Sequence, residues 1–190
     1  MTNTSSMIRS IPIASLLAVC LAITGIQSAR AEDKATHGVL TSKDYKFVCE
    51  AAIGGQNEVT LSQLAGQKAS DQSVKDFAQR MVADHQKANQ ELKQLTSDKG
   101  AILPDTETKK SEKLAEHLQN LSGGEFDRAY MKDMVSDHKK VVKLFEKAAE
   151  HSDDGDLKSW AVKTLPTLQD HLRMAESIDA TLNGTKVASN

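Results

Sequence analysis

Apolar residues recur at intervals of three and four along four long stretches of the chain, a rhythm that turns one face of a helix towards a core in each. The first stretch, from Ser42 to about Ala69, repeats Val48, Ala51, Ala52, Gly55, Val59 and Ala65, a stripe of small side chains centred on Gly54-Gly55. Glycine inside a helix costs about 1 kcal/mol relative to alanine, so it points here to close approach by another helix or a bulky neighbour. Ser70 with Asp71 marks a helix start, the serine hydroxyl being placed to accept from free backbone N–H groups. Val74, Phe77, Met81, Ala88, Leu92 and Leu95 then carry a second helix to about Lys99, and Gly100 suits the position just past its end. The long step from Met81 to Ala88 is filled in phase by His85, which therefore belongs to the buried stripe, while Asp84 and Lys87 point away from it.

Ala101–Glu107, with Pro104, reads as a loop, and Thr108–Leu121 as a short helix ended by Ser122-Gly123-Gly124. The third long helix, from about Glu125 to Glu150, has the stripe Phe126, Tyr130, Met134, His138, Val141 and Phe145. After a polar turn at 151–156, the fourth runs from about Leu157 to Leu182, with Trp160, Thr164, Leu168, His171, Ala175 and Ile178 on one face. Pro166 predicts a kink in it, because proline lacks an N–H and crowds the preceding turn. No stretch alternates with period two. Short links join the first helix to the second and the third to the fourth. The long connection between the second and third lets the chain cross from one end to the other. The pattern predicts an all-α fold, a ferritin-like four-helix bundle with a long crossover, carrying a short extra helix, between helices 2 and 3.

The ends of the chain change that picture little. Arg9, the uncharged apolar run Ile11–Ile26 and the small-x-small sequence Ala29-Arg30-Ala31 predict a secretory signal peptide over residues 1–31. The run is interrupted by Pro12 and Gly25 and is short for a span of about 20 residues, so no stable membrane span is expected after cleavage. Val19 stands before Cys20 where an acylated cysteine would need a small residue. The domain layout is then a flexible segment over 32–41, the helical domain over 42–182 and a disordered tail over 183–190, with export to the periplasm. Removing residues 1–31 takes away Arg9 and Arg30 and no acid, so the net charge moves from −2 to −4. No basic tract or aromatic platform points to nucleic acid. Cys49, left alone, has no internal disulfide partner and reads as a small, partly buried helix residue, or else as a reactive or intermolecular thiol.

Candidate chemistry lies in a repeated word. Met81-Val-Ala-Asp-His-Gln-Lys87 returns as Met134-Val-Ser-Asp-His-Lys-Lys140, and Asp170-His171-Leu172-Arg173 echoes both. On helices the word splits: the histidine goes inward, while the acidic and basic residues form surface or inter-helix pairs. Glu58, three residues after Gly55, also faces inward. Each long helix thus offers one donor: Glu58, His85, His138 and His171. Together they make a candidate metal site for a single transition-metal ion, Fe, Zn or Cu. The same residues could instead form a core hydrogen-bond network that fixes helix register. Met81, Met134 and Met174, three or four residues from a histidine, would favour copper, although methionine at helical spacing is usually core filler. Val82, Val135 and Leu168 stand three before the histidines, so the Glu-x-x-His signature of di-iron bundles is missing, and no catalytic motif is recognisable. His37, His117 and His151 read as surface residues.

The words Gly-Gly-Gln-Asn-Glu-Val (54–59), Lys-Asp-Phe-Ala-Gln-Arg-Met-Val-Ala-Asp-His (75–85), Phe-Asp-Arg-Ala-Tyr-Met (126–131) and Leu-Pro-Thr-Leu-Gln-Asp-His (165–171) resemble a family of exported bacterial proteins with a ferritin-like four-helix domain, catalogued as a domain of unknown function. The resemblance covers about residues 42–180 and implies the fold and export. It implies no activity. The reading is an exported helical bundle acting as a non-catalytic binding or stress-related protein with a His/Glu metal site. The alternative is a structural or protein-interaction module.

Overall fold

The computed structural model describes residues 38–104 and 109–184. The expected signal peptide, His37 and most of the segment 32–41 lie outside the described residues, as does the tail beyond Gly184. Five helices and no strand make up the described residues: α1 (Ser42–Lys68), α2 (Gln72–Asp98), α3 (Lys109–Gln119), α4 (Gly123–His151) and α5 (Gly155–Leu182). None is long and apolar enough to cross a membrane.

Side-chain caps set the starts of three long helices. Thr41 accepts from the Asp44 amide, Asp71 from Ser73, and Asp154 from Asp156 and Leu157, satisfying backbone donors that the first turn leaves free. The expected cap at Ser70 is therefore corrected by one residue. Asp71 caps α2, because the Ser70 hydroxyl is drawn away to the Asp127 carboxylate. Gly123 and Gly124 do not close the short helix but open α4, where Gly123 takes a left-handed φ of 55°. α5 runs unbroken through Pro166.

α1 packs along α2 and α4 along α5, and the two hairpins meet through α1 with α4 and α2 with α5. The core falls into two clusters. One holds Phe47 and Val48 from the start of α1, Leu92 from the end of α2, Phe145 from the end of α4 and Trp160 from the start of α5. The other holds Ala65, Phe77, Tyr130 and Ala175 from the opposite ends of the same helices. The chain thus leaves α2 at one end of the long helices and enters α4 at the other, with α3 packing on the way against α1 and α4. Phe47, Phe145 and Trp160 form an aromatic group at the first end, with ring centroids 5.1–6.0 Å apart.

Each hairpin is also plugged by the other. Asp44, buried on α1, accepts from the Asp153 and Asp154 amides at 3.1 and 2.9 Å and from the Ser152 hydroxyl, all in the α4–α5 turn. Asp127, buried on α4, accepts from the Ser70 and Asp71 amides, both at 3.0 Å, in the α1–α2 turn. Losing either acceptor would strand turn amides at a cost of about 1–3 kcal/mol. These reciprocal contacts hold the hairpins in the register that decides which residues share a layer midway between the two clusters.

Candidate metal centre

That middle layer is polar. On α2, His85 stands between Met81 of one cluster and Leu92 of the other; on α4, His138 stands between Met134 and Val142; on α5, His171 stands between Ala175 and Leu168. All three are buried, His138 completely. Their ring centroids form a nearly equilateral triangle, with sides of 5.8 Å (His85–His138), 5.4 Å (His85–His171) and 5.5 Å (His138–His171). One ring nitrogen from each lies within 4.8 Å of the other two.

Hydrogen bonds fix two of the rings. His138 Nδ1 donates to the Met134 carbonyl at 3.0 Å, and His171 Nε2 donates to Asp84 Oδ2 at 2.9 Å. In a neutral imidazole the other nitrogen then carries a bare lone pair. His138 Nε2 and His171 Nδ1 are buried with no hydrogen-bond partner, and so is His85 Nε2. Burial is the main force keeping the rings neutral, helped by their mutual proximity. His85 is pushed down to about 3 and His138 to about 4, and His171 is also lowered, although Asp84 works against the shift. At neutral pH the layer thus presents three unprotonated nitrogen donors in an apolar surround.

Glu58 is brought to the same layer but not to the same point. Its Oε1 lies 3.8 Å from His138 Nδ1, the nitrogen bonded to the Met134 carbonyl, and the mutually close donors among the described residues are the three histidines alone. Burial, reinforced by the neighbouring Asp137 carboxylate, raises the Glu58 carboxyl well above the usual range. Asp84 departs from expectation the other way. It does not point away from the site but reaches across to α5 and bonds His171. Arg80, one turn earlier on α2, approaches Asp84 at 3.4 Å. Burial works to raise the Asp84 carboxyl, but His171 and Arg80 outweigh it and leave it lowered. A residue one position before an inward histidine lies about 100° round the helix. That direction is solvent on an isolated helix but a neighbouring helix in a packed one.

The other candidates stay apart. Met81 and Met134 are buried in the second cluster, and the Met174 sulfur accepts from Arg80 at 3.3 Å. His117 and His151 are exposed, and Cys49 is partly buried outside the triangle. On the α2–α5 side, a cleft of about 100 Å³ reaches the layer beside His85, His171 and Asp84.

The model of a domain of unknown function (DUF4142) matches residues 29–178. No protein among curated sequences matches the chain significantly. Among solved structures, a DUF305 fragment from Deinococcus radiodurans superposes with a TM-score of 0.67 at 13% identity, covering 75% of this chain and 98% of that one. A DUF305 protein from Streptomyces coelicolor, whose name describes it as secreted, superposes with a TM-score of 0.64 at 16% identity, covering 78% and 98%. At such identities the likeness is one of fold.

Proposed function

The chain belongs to the DUF4142 family, whose description carries no activity, and from the histidine layer we propose that it is an exported, non-catalytic protein that binds one transition-metal ion in its core. A single observation carries this: three helices each deliver a buried histidine with an unpartnered ring nitrogen to one place, and one nitrogen of each ring lies within 4.8 Å of the other two. A core hydrogen-bond network, the rival reading, accounts for one nitrogen each of His138 and His171 and leaves their second nitrogens and His85 Nε2 without a partner. Unsatisfied buried acceptors cost free energy, and a divalent ion satisfies all three at once. An ion at the centre of a triangle of that edge would sit about 2.8 Å from each nitrogen, so the rings need close by less than ~1 Å to reach the 2.0–2.1 Å of zinc–imidazole bonds.

The carboxylate on His171 and the carbonyl on His138 are the outer partners that metal-binding imidazoles use to fix their tautomers. Neutral imidazole without thiolate suits Zn²⁺ or Cu²⁺. The absence of Glu-x-x-His pairs speaks against di-iron chemistry. Helix order, the two short turns and the α2-to-α4 crossover support a ferritin-like bundle. The apolar run and cleavage pattern of residues 1–31 support export, with a mature chain starting at Glu32 in the periplasm.

Titration of tag-free mature protein with Zn²⁺ and Cu²⁺, followed calorimetrically, tests the reading. One equivalent should bind with submicromolar affinity, and His85→Ala or His138→Ala should abolish that binding. Affinity no tighter than micromolar, or binding that survives both substitutions, would overturn it and favour the structural module.

A further inference from the structure

Three protein nitrogens do not close the shell of a four-coordinate ion. The geometry around the triangle shows where the remaining ligand would come from. His138 and His171 are sealed from solvent on nearly all sides, whereas His85 keeps a small exposed fraction, and it lines the α2–α5 cleft together with His171. The cleft continues past Thr164 and Thr167 on α5, and the ammonium-bearing residues Lys87 and Lys163 border it. Glu58, the one other inward donor that the sequence offers, approaches His138 Nδ1 and is not among the mutually close donors.

We infer that the fourth position at the metal opens into the α2–α5 cleft and takes an exchangeable small anion, with solvent as its competitor. This rests on the metal reading of the triad. Charge supports the ligand class. A divalent ion held by three neutral imidazoles keeps its full charge, and Lys87 stands at the cleft beside the Lys163–Glu91 pair. Of the acids there, Glu91 is paired with Lys163 at 2.8 Å and Asp84 is engaged by His171 and Arg80. Size sets the limit. The cleft's volume is about 100 Å³. Sites for drug-sized organic molecules run to about 300–1,000 Å³.

The test uses the full mature chain loaded with Co²⁺, whose visible absorption reports coordination, titrated with sodium azide. The expected result is stoichiometric cobalt uptake followed by a saturable azide-dependent shift of the bands in the millimolar range. Thr164→Leu or Thr167→Leu, which fill the cleft, should leave cobalt uptake intact and weaken azide at least several-fold. Lys163→Met should weaken it in the same direction. Cobalt bands that ignore decimolar azide, or that respond equally in the cleft-filled variants, overturn the inference and leave the metal reading standing. Failure of the chain to take up cobalt at all overturns both.

Discussion

Three imidazoles kept neutral by burial make the stability of the metal-free protein depend on pH in a defined direction. An unfolded histidine titrates near 6.5, whereas in the fold His85 and His138 titrate near 3 and 4. Their folded values are depressed, so their contribution is fully present above pH ~6.5 and is lost as the pH falls towards the folded values, by about 1.4 kcal/mol per pH unit for each ring. Urea denaturation of the apo protein between pH 7.5 and 4.5, the upper part of that window, should show the histidines lowering stability as the pH falls below ~6.5, partly offset by Glu58, whose raised carboxyl works in the opposite direction. His85→Gln should remove about one proton from the histidine contribution to the slope. Asp84 has a separate signature. Asp84→Asn keeps the size but removes the charge that orients His171, and should weaken metal binding by about 10–100-fold with little change in apo stability, checked by competition with a chromophoric chelator. The histidines were legible in the sequence because each fills a gap in an apolar stripe. Asp84 was not, because helical phase gives a direction but not which helix stands there.

At the scale of elements, the two adjacent glycines of α1 separate what composition suggested from what packing requires. A methyl group added at Gly54 meets nothing within 4 Å, while one at Gly55 would fall 2.1 Å from Asn89 Oδ1 on α2. Gly54→Ala should therefore raise stability by up to about 1 kcal/mol through helix propensity. Gly55→Ala should lose that gain to displacement of Asn89, and thermal unfolding of the pair shows the contrast. The stripe of small residues was readable as a sign of close approach, but which glycine is approached depends on a residue 34 positions away. Helix identities were legible for a similar reason that boundaries were not. Periodicity is a property of many residues together, whereas the start of α2 turns on whether Ser70 or Asp71 is free to cap it, and Asp127 decides that from across the molecule. The reciprocal plugs at Asp44 and Asp127 could not be read from sequence, since each joins residues from the two halves of the chain.

At the scale of the molecule, the two hydrophobic clusters and the histidine layer between them form one device. The clusters and the plugged turns hold four helices in a register that brings donors from three of them to a common point. This is why the layer, more than the composition of any helix, carries the functional reading. The measurement that meets this claim most directly is X-ray absorption at the metal edge on tag-free mature protein loaded with one equivalent of Zn²⁺. The expected result is a first shell containing three imidazole nitrogens at about 2.0–2.1 Å with outer-shell imidazole scattering, reduced by one imidazole on His138→Ala. A shell of oxygen ligands with no imidazole signature, unchanged by that substitution, would contradict it.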